Sequence, residues 1–408
     1  MKSYKTTVVA VFLTVSLLLS SCSRVAEQVV PVDKPIGQTD PETGLPLYFS
    51  SVDEAITPYV QQQQGGTCWA YAAVTAMDYT HKYQTGEGVD IDPVDLTLAI
   101  FDPDREDTII LDDDVAPEDA GGSSSNIMGF LSGGYENYIL TECVEYEDAD
   151  MTDMKEAIME YGAMTANVSI YPTHFQDTRG TRTFIADAYS GSNHDVVLVG
   201  WNDNFPADAF AVEASQNGAW LAQNSYSDTW GDHGFFWISY DTPFTQLSTY
   251  VISEEYSDSL TWGNCYSTWM SLDNVVANHY SESGSLSAIG IYLYEPDSDI
   301  SVTVYNDDFS EELYTYSGHY DLSGYYTIEL EEELEVDGFA IAVDFGGTVI
   351  CEGRTFYRDD RYYQYTCEEG QSFILANDEW IDVTESDRLR TLRIYDPVNN
   401  FFIVALMK

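Results

Sequence analysis

A thiol is a weak nucleophile at neutral pH unless its surroundings hold it as thiolate, and the usual means are a helix N-terminus and a neighbouring imidazole. Cys68 has the first. Trp69, Ala72, Ala73, Ala76 and Met77 recur at helical spacing, which predicts a helix starting near Cys68 with its positive dipole end at the sulfur. Gly65 and Gly66 stand just ahead, where they let the backbone turn tightly and let a substrate chain approach. The imidazole has to come from elsewhere, oriented by a third polar group. His81, His174, His233, His279 and His319 show no metal-ligand spacing with cysteines or carboxylates and read as surface or structural residues. No metal and no cofactor is expected.

The elements that must position such a site change in texture along the chain. From about Leu47 to Glu255 helical and strand-like patterns mix. Asp153 and Glu156 read as a capping box opening a helix whose face is Met154, Ile158 and Tyr161, with Gly162 placed to end it. Apolar, strand-like runs follow at Met164–Ile170, Val196–Trp201, Trp220–Ala222 and Phe235–Tyr240. From about Asp273 the chain turns to short alternating segments separated by turn residues, including Ala288–Tyr294, Ile300–Tyr305, Tyr325–Leu330, Phe339–Val343 and Phe401–Met407. With no helical pattern of useful length between them, these predict an antiparallel β-sandwich of jelly-roll type.

The 408 residues carry 69 Asp and Glu against 16 Lys and Arg, a formal net charge of -53. Nucleic-acid binding needs a basic footprint, so that partner class is excluded. Lys2 and Lys5 precede the apolar run Val8–Leu19, which is too short for a comfortable membrane span and right for a signal-peptide core. That run closes on Leu19-Ser20-Ser21-Cys22, a tetrapeptide that resembles the lipobox of bacterial lipoproteins, in which the cysteine is lipidated. The expectation is a signal peptide over 1–21, a Pro-containing tether over 22–45, and a product held outside the cytoplasmic membrane by lipid on Cys22. Five further cysteines, an odd number, imply at least one free thiol. Cys351 and Cys367 are near enough in sequence to pair, and Cys143 and Cys265 read as buried thiols or as a pair.

Three segments then supply what Cys68 lacks. Gln62, followed by Gly65-Gly66-Thr67-Cys68-Trp69-Ala70-Tyr71-Ala72, resembles the nucleophile segment of papain-like cysteine peptidases. Asn193-His194-Asp195-Val196-Val197-Leu198-Val199-Gly200-Trp201 resembles the family's histidine strand, and Gln223-Asn224-Ser225-Tyr226 with Trp230-Gly231 its asparagine segment. His194 and Asn224 follow Cys68 by 126 and 156 residues, bracketing the separation of roughly 130–150 expected for that pair. The resemblance implies an α+β, two-lobed peptidase fold over 46–255. It implies Cys68 as nucleophile, His194 as its imidazolium partner, Asn224 as the group orienting the ring, and Gln62 as an oxyanion donor. Gly65, Gly66, Trp69, Asn193 and Trp230 would flank the substrate, with Trp230 shielding the His194–Asn224 bond.

The chain departs from the family in three places. Gly65 stands where many members carry a disulfide cysteine, Asp195 where a small residue is usual, and Tyr226 where tryptophan is frequent. Asp195 would either raise the imidazolium pKa or point away, and the sequence leans toward the second. Ala288-Ile289-Gly290-Ile291-Tyr292, Gly338–Val343 and Phe402-Ile403-Val404-Ala405 resemble the lectin-like domain that follows papain-type peptidases in surface proteins of clostridia and their relatives. It is placed over 273–408, after a linker at 256–272, and it implies either a surface glycan or cell-wall partner, or a structural brace. The expected activity is hydrolysis of protein or peptide substrates. A cell-wall peptide amidase and a non-catalytic adhesin on the same fold are the alternatives.

Overall fold

The computed structural model describes residues 32–408, apart from 54–57, 106–108, 179, 187–190, 263–267, 273, 353–355, 359–360, 364–365 and 395–397. Cys22 with its apolar run, and Cys265, lie outside the described residues.

Helix α1 (Cys68–Thr85) starts at the expected place and buries Trp69, Ala70, Ala73, Val74, Ala76, Met77 and Tyr79, so most of its circumference is core. Gly86, at φ 83°, ends it in the left-handed conformation. Two shorter helices pack with it. In α2 (Pro93–Ile100) the Asp92 carboxylate accepts from the Val94 and Asp95 N–H groups, and α3 (Ser124–Leu131) opens on a Ser123/Asn126 capping box. These helices form one lobe.

The second lobe is a sheet with α4 (Met151–Tyr161) against it. Its cap lies three residues ahead of the predicted one: Asp150 accepts from Thr152 and Asp153, and Asp153 answers by accepting from the Asp150 N–H. Asp153 was read as the cap because Asp150 is equally able to fill that role and sits in an acidic run. The central strand is His194–Asn202. It pairs with Ala219–Gln223 on one side, and on the other with Met164–Val168 and then Tyr48–Ser50. Gly200 is obligatory in that strand, because a Cβ there would lie 2.2 Å from the Phe49 carbonyl oxygen.

The C-terminal half is all strand except for the one-turn helix Ser386–Thr391. Val276–Leu293 and Ser323–Asp344 run antiparallel over their full length, with register shifts between Tyr280 and Ser283 and between Leu286 and Ala288. Ser298–Asn306 and Ile403–Met407 extend this sheet, and Ile289, Ile291, Val302, Val304, Phe339, Ile341 and Ile403 fill the core beneath it. The β architecture is the expected one, but Tyr325–Leu330 and Phe339–Val343 belong to a single 22-residue strand. Glu331, Glu332, Glu333 and Glu335 between them are solvent-exposed, so that stretch carries no buried face for alternation to report.

The two halves are joined rather than strung. Ser323, Gly324 and Tyr325 pair with Glu145, Val144 and Cys143, which adds a strand of the C-terminal half to the peptidase-side sheet. Tyr292, Tyr325, Phe402, Val404 and Leu406 share one core with Val74, Met77 and Ile127 of the helical lobe. Within the segment expected as linker, Asp258–Leu260 is a strand paired with Ala405–Met407. The distal tether is docked as well: the Asn202 side chain donates to the Asp33 carbonyl, and the Trp201 indole to that of Pro46. Cys351 is a buried thiol outside any disulfide, so the Cys351–Cys367 link is not formed.

Candidate active site

Cys68 is the first residue of α1. Its neighbour Thr67 makes no side-chain cap, its hydroxyl donating instead to the Gln64 carbonyl. The loop ahead is held by the Gly66 N–H on the Glu118 carbonyl. Gly65 has φ +58°, and a Cβ there would lie 2.4 Å from the Glu118 oxygen, so only glycine lets the chain pass.

His194 and Asn224 are 4% and 2% exposed, with His194 Nε2 2.8 Å from Asn224 Oδ1. That carboxamide oxygen also accepts from the Ser225 N–H. Two acceptances fix the Asn224 plane, and the imidazole donates through Nε2, which leaves Nδ1 as the nitrogen for proton exchange. The Tyr226 ring lies over the imidazole at 4.9 Å, and Trp230 packs edge-on against Tyr226 at 5.5 Å. The shield over the His194–Asn224 pair is thus Tyr226, with Trp230 behind it. Gln62 forms a backbone bridge to Tyr226 and keeps an exposed side chain. The Ser225 hydroxyl and N–H-to-carbonyl contacts to Gln63 tie the same two segments together.

Two residues expected at the substrate are committed elsewhere. Trp69 is 4% exposed and lies under Gly122, where a Cβ would come within 2.3 Å of the indole. It is core because it faces α2 and α3, stacking edge-on with Phe101. The Asn193 carboxamide both accepts from the Ile170 N–H and donates to the Ile170 carbonyl, closing the turn that leads into the histidine strand.

Asp195 does not point away. Its Oδ2 is 3.7 Å from Cys68 Sγ, and its Oδ1 accepts from the Asn167 carboxamide at 2.8 Å. Burial, chiefly, and then the Asp195 charge push the Cys68 thiol up to about 11. Burial also raises Asp195 to about 6 and lowers His194 despite its bond to Asn224. In this arrangement Sγ is protonated and donates to Asp195. An aspartate directly ahead of the buried run Val196–Val199 was the available signal, since a buried carboxylate requires a partner.

Residues 133–255 match the family model of papain family cysteine proteases, and residues 256–393 match that of the lectin-like domain. The chain joins a papain-family peptidase domain to a lectin-like domain. A probable cysteine protease of Arabidopsis thaliana, RD19C, is 22% identical over 239 residues, 51% of this chain and 60% of its own length. Cysteine proteinase 15A of Pisum sativum is 24% identical over 229 residues, 48% of this chain and 59% of its own. The chain therefore spans about three fifths of these curated relatives. Among solved structures, the cysteine protease and lectin-like domains of Cwp84, a surface layer associated protein of Clostridium difficile, superpose with a TM-score of 0.72. That likeness covers 93% of this chain and 91% of that one at 20% identity, and it extends over both domains.

Proposed function

We propose that the protein is a papain-type cysteine endopeptidase that hydrolyses peptide bonds of surface or environmental proteins. The observation that carries this reading is the gathering of Cys68, His194, Asn224 and Gln62 from three distant segments, with His194 Nε2 already bound to Asn224 Oδ1. The Cys68 proton passes to Nδ1 of His194, and the thiolate, favoured by the first turn of α1, attacks the scissile carbonyl. The oxyanion accepts from the Gln62 carboxamide and the Cys68 N–H, and the imidazolium then protonates the leaving amine. For Sγ to reach this state it must exchange Asp195 for His194 as its partner. Anchoring through lipid on Cys22 at the outer face of a bacterial membrane belongs to the same reading. It is supported by the lipobox-like tetrapeptide and by the surface location of the Clostridium difficile protein.

Assay of a broad peptide library tests the mechanism. Cys68→Ala should abolish turnover, and Gln62→Ala should lower kcat by about 10²–10³. Turnover retained in Cys68→Ala refutes it.

A further inference from the structure

A cavity of about 520 Å³ opens beside the nucleophile, within the size range of ligand sites, and it is bounded by both domains. One wall is Ser123, Ser124 and Ser125, directly after the glycine that covers the indole of Trp69, the residue next to Cys68. The opposite wall is the Thr245–Ser248 strand. From Thr245 a chain of side chains leads back to the thiol: Thr245 Oγ1 to Asn167 Oδ1 at 3.4 Å, Asn167 Nδ2 to Asp195 Oδ1 at 2.8 Å, and Asp195 Oδ2 to Cys68 Sγ at 3.7 Å. The cavity is therefore flanked on two sides by elements that touch Cys68 or its neighbour.

Its charge is of one sign. Glu145, Glu147 and Asp148 line it, and no Lys, Arg or His is among its lining residues. Glu145 is held in place from both domains: Oε2 accepts from the Tyr292 hydroxyl at 2.7 Å and Oε1 from Ser124 at 3.3 Å. Ser248, fully buried and also lining the cavity, has a hydroxyl with no hydrogen-bond partner. Burial first, then the neighbouring Glu147 charge, raise Glu145 above the usual carboxylate range, against the two hydroxyls that lower it. A buried carboxylate in that position gains from a cation that arrives with a ligand.

We infer that this cavity receives a lysine or arginine side chain of the substrate on one side of the scissile bond, bound by Glu145 below and by Glu147 and Asp148 at the rim. The lectin-like domain takes part directly, because its Tyr292 fixes Glu145. The inference rests on the peptidase reading above and adds a substrate class to it: cationic peptides.

The test compares kcat/KM of the full chain on paired peptides that carry lysine or its neutral isostere norleucine at each position near the cleaved bond. One position should prefer lysine by about tenfold or more, the size expected for one charge-assisted hydrogen bond in a half-buried site. Glu145→Gln should remove that preference while leaving turnover of the norleucine peptide within about twofold. Tyr292→Phe, which deletes a single hydroxyl, should reduce the preference, and the exposed rim variant Glu147→Lys should reverse it without touching the core. Equal rates for both peptides at every position, with both lost in Cys68→Ala, would overturn the cavity assignment and leave the peptidase reading standing. A lysine preference unchanged in both Glu145→Gln and Glu147→Lys would overturn it too. Turnover surviving in Cys68→Ala, or no turnover of either peptide by the unaltered chain, would overturn both.

Discussion

The contact between Cys68 and Asp195 sets the protonation of the site. A thiolate there would face a carboxylate whose other oxygen is held by Asn167, so the anion is disfavoured twice, by burial and by charge. Replacing Asp195 with asparagine removes a negative charge beside Sγ, which makes the thiolate less costly and lowers the thiol pKa. The rate of iodoacetamide labelling at Cys68, followed against pH, should therefore move to lower pH in Asp195→Asn. An unmoved or upward-shifted profile would show that Asp195 does not act on the thiol. At this scale the sequence was largely readable: Cys68, His194, Asn224 and Gln62 carry recognisable neighbours, and the structure brings their segments together. The direction of Asp195 was not readable, because strand alternation does not govern the first residues of a strand entering from a turn. Nor was the burial of Trp69, which depends on how closely Gly122 passes over it.

Elements were readable where local chemistry decides them. The start of α1, the Gly162 end of α4 and the apolar strands around His194 follow from periodicity and caps. The position of the α4 cap slipped because two aspartates three residues apart satisfy the same rule. The long Ser323–Asp344 strand was hidden because its glutamates face water, and only pairing with Val276–Leu293 keeps it extended. Loop geometry ahead of α1 is the element on which the site most depends. Gly65→Ala should cost about 1–3 kcal/mol of stability, the range for a non-glycine residue forced into left-handed backbone against a carbonyl. Urea unfolding of the two chains measures it, and a difference near zero would mean that the Glu118 segment yields without cost.

For the whole molecule, the domain order was readable from the change of texture near residue 270, whereas the union of the two domains was not. Pairing of Ser323–Tyr325 with Cys143–Glu145 and the core shared by Tyr292, Tyr325 and Phe402 with α1 are contacts between residues far apart in sequence, and neither segment carries a local mark of its partner. Such a seam couples the domains energetically. Differential scanning calorimetry of residues 32–408 should give one cooperative transition. Two well-separated transitions, with the peptidase half unaffected by loss of residues 256–408, would contradict the shared core. The same seam makes the lectin-like domain a brace for the peptidase whether or not it also binds a glycan.

All three scales converge on one sulfur. Incubation of the full chain with a peptidyl epoxide selective for papain-type thiols, followed by peptide mass spectrometry, reads it directly. The account predicts a single adduct on Cys68, lost in Cys68→Ala and slowed in Asn224→Ala, with Cys143 and Cys351 unmodified in their buried sites. A folded chain that takes up no epoxide at Cys68, or that carries the label on another cysteine, would contradict it.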